Sequence, residues 1–216
     1  MGHSRNLLNE AYLLGTRGQN GAGIGRARQA LAQTNSDPIA FSIYSYLRRL
    51  FTFQLRAGRF RAANTTLANW RRRIGENLVR SPFGIGLAIA ESTLALRQGR
   101  HHDALERAKF ALEHSTNYLR HRTRVTACIA YLEAAAASGM LEGTEPVLKE
   151  LRDWRDIQIG ELRFEMLCAQ ARVERARGNG LGEAHGAARE EAERMDSLLG
   201  CGRYIDEWEE RVSTGG

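Results

Sequence analysis

Lysine is almost missing from this chain. Of 216 residues only Lys109 and Lys149 are lysines, so arginine carries nearly all the positive charge, a bias that genome base composition alone can produce. The three cysteines, Cys128, Cys168 and Cys201, are too few and too far apart for a disulfide framework or a zinc knuckle. Cys128 and Cys168 read instead as small core residues. No apolar run approaches the roughly twenty residues needed to cross a bilayer, and the opening MGHSRNLLNE carries no apolar segment of signal-peptide type. A cytoplasmic protein without membrane contact is the expectation. Proline occurs only three times, and two of these, in Ser36-Asp37-Pro38 and Ser81-Pro82, have the form of helix starts, an oxygen-bearing cap followed by a residue that needs no N–H partner in the first turn.

What is present is glycine in a recurring place. Ile85 to Tyr118 resolves into two amphipathic helices. Ile85, Ala88, Ser92 and Ala95 line one face of the first, and Ala104, Ala108, Ala111 and Ser115 line one face of the second, with Leu105 and Leu112 widening the stripe. Between them stands Gln98-Gly99-Arg100, where glycine can take the left-handed conformation that ends a helix, and Asp103 places negative charge in the first turn of the next. A helical hairpin cannot bury its apolar face alone, so repetition is expected. Gly18, Gly58, Gly99, Gly139 and Gly178 mark it, at intervals of 40, 41, 40 and 39 residues, and Ala63, Ala104 and Ala184 follow their glycines by five or six positions.

The Gly99-Arg100-x-x-Asp103-Ala104 turn, with Ala111 seven residues further on and Ser92 seven before the glycine, resembles a tetratricopeptide-type repeat. The period near forty is similar to the longer variant found in the helical sensor domains of regulatory ATPases of the maltose-regulator kind. The resemblance implies an all-α fold. The expectation is one domain over residues 1–216, a right-handed α-solenoid of about five antiparallel helical hairpins at about 4–35, 37–78, 81–116, 118–155 and 157–199, with a short C-terminal capping helix at about 203–212.

Taken in order, Asn6 to Thr16 fits a helix through Leu7, Ala11 and Leu14, after which GQNGAGIG reads as a loop before helical composition resumes at Arg26. Its glycines do not make a phosphate loop, since no strand precedes them, no Gly-Lys-Ser/Thr follows, and the spacing misses G-x-G-x-x-G. In hairpin two Phe41, Tyr44, Leu47, Phe51 and Leu55 mark one helix and Ala62, Ala63, Leu67 and Trp70 the other. Pro146 predicts that the second helix of hairpin four begins late, near Gly143-Thr144. In RYIDEWEERV, Tyr204, Ile205, Trp208 and Val212 fall on one side, as a capping helix requires.

Nothing in the spacing suggests catalysis. The adjacent His101 and His102 point about 100° apart on a helix and cannot chelate one metal. The carboxylates Glu190, Glu191 and Glu193 read as a solvated face, and no catalytic signature occurs. A non-enzyme without cofactor or metal is expected. Residues 1–80 hold thirteen arginines against Glu10, Asp37 and Glu76, a net of +10, which leaves −4 for the rest of a chain whose total is +6. This asymmetry favours an acidic partner or contact between copies. The resemblance implies a surface lined by first helices, on which the repeat phase projects Tyr12, Arg48, Thr52, Arg56, Thr93, Arg97, Glu133, Arg172 and Arg175, positions where arginines would hold the carboxylates of a peptide or partner protein. Two alternatives stand beside this protein-interaction scaffold. One is nucleic-acid binding through the arginines of residues 48–80, with Tyr44, Phe51, Phe53, Phe60 and Trp70 for stacking; the other is a small-molecule sensor.

Overall fold

The five phase glycines end five helices by one device. In the computed structural model, which describes residues 2–34, 40–75, 78–118, 122–154, 160–179 and 182–213, Gly18, Gly58, Gly99, Gly139 and Gly178 have φ between 67° and 81°. At each, the glycine N–H donates to a carbonyl three residues back and the next N–H to one five back, as Gly99 does to Leu96 at 3.0 Å and Arg100 to Ala95 at 2.9 Å. The pair of bonds satisfies carbonyls that a helix end leaves open, and it needs a left-handed residue where a side chain would be strained.

The helices these turns join are α1 (Gly2–Thr16) and α2 (Asn20–Thr34), α3 (Ala40–Arg56) and α4 (Phe60–Ile74), α5 (Pro82–Arg97) and α6 (His101–His114), α7 (Arg122–Ser138) and α8 (Thr144–Arg152), and α9 (Gly160–Ala176) and α10 (Glu183–Leu199). A short α11 (Arg203–Trp208) runs on into a π-helical turn, Glu209–Ser213. No strand occurs among the described residues. The fold is all-α, a tandem of helical hairpins closed by a C-terminal cap. The chain forms two compact units, Met1–Leu94 and Ala95–Gly216, with the division inside α5.

In unit 1, Tyr44, Leu47, Phe51, Ala63, Leu67, Trp70 and Ile74 form a core with Leu87, Ala90 and Leu94. The Tyr44 hydroxyl stays satisfied by donating to the Arg73 carbonyl at 2.8 Å. The GQNGAGIG stretch corrects the sequence reading, because α2 starts at Asn20 and contains Gly21, Gly23 and Gly25 within its helix. Packing decides this. A Cβ at Gly23 would stand 3.3 Å from the Ala11 carbonyl oxygen and 3.3 Å from the Phe53 ring, and one at Gly15 would stand 2.0 Å from that ring. The glycines let α1, α2 and α3 close on Ile24, Ala27, Leu50 and Phe53. Burial worth roughly 2 kcal/mol for each large side chain outweighs a helix penalty of about 1 kcal/mol per glycine. The Ser36-Asp37-Pro38 start and the Phe41 side chain lie outside the described residues. Ser81 does cap α5, its Oγ accepting from the Phe83 N–H at 3.3 Å.

Unit 2 packs with alanine. Ala104, Ala108 and Ala111 of α6 and Ala127, Ala134 and Ala135 of α7 are fully buried. Cys128 and Cys168 are core residues, and burial pushes both thiols up to about 12. α8 starts at Thr144, where Pro146 falls in its first turn. A buried cation ties the layers together. Arg124 of α7 grips Glu150 of α8 with two bonds, at 2.8 and 2.7 Å, and donates to the Leu112 carbonyl at 2.6 Å and Ser115 Oγ at 3.1 Å beside α6. The cap buries Tyr204, Trp208 and Val212 against Phe164, Cys168, Ala188 and Ala192. Asp196 holds the start of α11 by accepting from the Tyr204 and Ile205 N–H groups at 2.9 and 2.8 Å. Glu191 departs from the solvated face expected of its stretch. It is 5% exposed and paired with Arg194 of its own helix and with Arg163 of α9, because its turn of α10 faces α9 while Glu190 and Glu193 face outward.

Candidate functional site

Four of the nine projected residues lie in unit 2, and the fold brings them to one place. Arg97 ends α5, Glu133 stands on α7, and Arg172 and Arg175 stand one turn apart on α9. What they meet is the chain's own terminal turn. Arg97 pairs with Glu210, Arg211 pairs with Glu133, and Arg175 Nη1 donates to the Val212 carbonyl at 2.7 Å. Arg172 completes the group at 3.7 Å from Glu133. Glu133 is thus a carboxylate between two guanidiniums, one from the face and one from the segment on it.

The electrostatics follow from enclosure. The side chains of Glu133 and Arg211 are 14% and 15% exposed. Burial alone raises the Glu133 pKa; the charges of Arg211 and Arg172, the hydrogen bond from Arg211 and the more distant Arg97 oppose it and prevail, leaving the carboxyl below its ordinary value. Burial likewise disfavours the Arg211 guanidinium, and Glu133 foremost restores it, above the ordinary arginine value. Arg97 and Glu210 are more open, 39% and 58% exposed, so their pair adds direction more than strength.

The five projected residues of unit 1 stand on α1, α3 and α5. Tyr12 on α1 lies under Arg49 of α3, whose guanidinium sits 4.1 Å from the ring centroid. Thr52 Oγ1 donates to the Arg48 carbonyl and Thr93 Oγ1 to the Ile89 carbonyl, each at 2.9 Å, so both hydroxyl protons stay on their own helices. Arg48 is exposed and Arg56 half-buried. Among the aromatics proposed for stacking, Tyr44, Phe51, Phe53 and Trp70 are buried, and Phe60 alone of these five is exposed, at 39%.

A recess of about 410 Å³ lies between α8, α9 and α10. On its rim Arg152 and Arg177 both bond Glu145, at 2.7 and 2.8 Å, and hold that carboxyl below its ordinary value. Sequence reasoning missed Glu210, Arg211 and Val212 as members of the face. The repeat phase stops at the cap, and nothing in RYIDEWEERV signals that its polar side turns back onto α7 and α9.

No family model and no curated protein matches the chain. Solved structures do match. The nearly identical TPR-like repeats of a protein described as a kinesin light chain of Podosopora anserina are 16% identical over 92% of this chain and 97% of theirs, with a TM-score of 0.60; a point-substituted form of the same repeats gives 16%, 92%, 96% and 0.61. A tetratricopeptide repeat protein from Parabacteroides merdae ATCC 43184 is 14% identical over 91% of this chain and 67% of its own, with a TM-score of 0.48. The likeness to the first pair is one of fold, that of TPR-like helical repeats. No helix among the described residues is long and apolar enough to cross a membrane.

Proposed function

We propose that the chain is a protein-interaction module without catalytic activity, and that the first-helix face of unit 2 receives an extended stretch of polypeptide. The observation behind this reading is the occupied face itself, on which Glu133 and Arg175 engage a guanidinium and a main-chain carbonyl of the kind that any polypeptide ligand presents. Arg97 and Arg172 favour a ligand that also carries carboxylates, in keeping with a partner of acidic character. The forty-residue period leads us to place the module with the longer variant of the repeat, and a role in a regulatory assembly follows from that placement. The solvent-facing arginines of residues 48–80 supply charge but little stacking surface, which favours protein over nucleic acid.

The test is selection of peptides from a displayed random library on the full chain, followed by anisotropy titration of the recovered sequences. Arg172→Ala with Arg175→Ala should weaken binding at least tenfold, while Arg61→Ala with Arg72→Ala on unit 1 should leave it unchanged. Peptides that bind the Arg172/Arg175 variant as tightly as the wild type would refute the reading.

A further inference from the structure

The terminal turn differs from the helix before it in how it is held. α11 is built into the core: Tyr204 is fully buried with its ring 5.3 Å from that of Phe164, Trp208 packs 5.0 Å from His185, and Asp196 caps the helix start. Beyond Trp208 the chain leaves the α-helical path at Glu209. From there three polar ties run to the first-helix face, namely Glu210 to Arg97, Arg211 to Glu133 and the Val212 carbonyl to Arg175, while the Val212 side chain inserts beside them, 1% exposed. Acid, arginine and aliphatic residue follow one another, and each has a separate receptor.

A cap needs only to cover apolar surface, and Tyr204, Trp208 and Val212 do so. Glu210 and Arg211 do more, and lifting the turn away would uncover the groups they meet. Glu133 would keep Arg172 at 3.7 Å as its anchor and lose its shorter-range donor, while Arg97 and Arg175 would each lose an acceptor. These demands fit a segment of one composition. It must bring a carboxylate for Arg97, then a guanidinium for Glu133, then an aliphatic side chain with its carbonyl toward Arg175.

Resting on the reading above, we propose that Glu209-Glu210-Arg211-Val212 is a resident ligand in cis, and that the partner is a polypeptide carrying the same acid–arginine–aliphatic order, which enters by displacing residues 209–213 while α11 stays docked. The face is therefore self-occupied at rest, and its apparent affinity for the partner is lowered by the fraction of time the chain's own turn is seated.

The probe is a fluorescein-labelled peptide with the sequence of residues 205–213, titrated into the full chain. Wild type should bind it weakly. Arg211→Ala, which loosens the resident turn, should bind it at least tenfold more tightly, and adding Glu133→Gln or Arg175→Ala to that variant should remove the gain. Circular dichroism checks that each variant is folded. Should Arg211→Ala fail to fold, Glu210→Lys loosens the same turn from an exposed position and should give the same direction. Equal affinity of the loosened and wild-type chains would overturn the proposal. The parent reading fails separately, since library peptides that bind the wild type through Arg172 and Arg175, yet leave amide exchange of residues 209–213 unchanged, would uphold the face and refute its displacement.

Discussion

One repeat phase projects residues onto the first helices of both units, and the two sets differ in what they hold. In unit 1, Tyr12 of α1 lies under Arg49 of α3, and Thr52 and Thr93 turn back on their own helices. In unit 2, Arg175, Glu133 and Arg97 reach partners 37, 78 and 113 residues further along the chain. The phase thus tells which residues share a face but not whether the face is covered. In unit 2 the enclosed Glu133–Arg211 pair joins residues 78 apart, and acid and charge deletion should harm it there.

The sharpest contrast is expected at the buried cation. Arg124→Ala removes the fork that holds Glu150, Leu112 and Ser115 together and should cost about 3–5 kcal/mol, read as a fall in thermal midpoint. Arg49→Ala in unit 1 removes a cation held over the Tyr12 ring, a contact of about 0.5–1 kcal/mol, and should cost less. Equal losses would erase the distinction. Next comes Glu133→Gln, expected to cost roughly 1.5–3 kcal/mol at neutral pH because it weakens hydrogen bonds between charged groups. Its pH dependence has a fixed sign. The folded-state pKa lies below the ordinary value of 4.5, so the carboxylate's stabilising contribution is complete above that value and is lost as pH falls through the folded pKa. The gap in melting temperature between wild type and Glu133→Gln should therefore narrow on going from pH 7 to pH 3, and a constant gap would contradict the assignment.

Two smaller effects compare how the units pack. Gly15→Ala in unit 1 drives a methyl into the Phe53 ring, and Ala104→Leu in unit 2 forces a side chain into a site with no exposure; each should cost about 1–3 kcal/mol. A melting temperature unchanged in either case would mean that unit's close packing is misassigned. The least effect should also be the most even. A Cβ at Gly58 or Gly99 meets nothing within 4 Å, so alanine there costs only left-handed strain, about 1 kcal/mol, in both units alike. A large difference between the two would show that these turns do more than end helices.

The hairpins were legible because their signals are local. A glycine that ends a helix, a serine or proline that starts one, and small residues at three- and four-residue steps all act within a few residues, and the five left-handed glycines stand where the period put them. The Gly21–Gly25 stretch was not legible, since its helix depends on Phe53 arriving from α3. Glu191 read as part of a solvated face for the same reason, as its burial is conferred by a neighbouring helix. Of the face, Arg97, Glu133, Arg172 and Arg175 follow from the period, whereas Glu210 and Arg211 lie beyond its last turn.

The order in which these contacts become available follows from their place in the chain. Each glycine turn closes with bonds between residues no more than five apart, so the turn can form early in synthesis, while its hairpin buries an apolar face only once a neighbour follows. The turn that covers the face comes later, 37 residues beyond Arg175 and 78 beyond Glu133. The four face residues are therefore synthesised before Glu210, Arg211 and Val212, and because these belong to the same chain they reach the face at a high effective concentration.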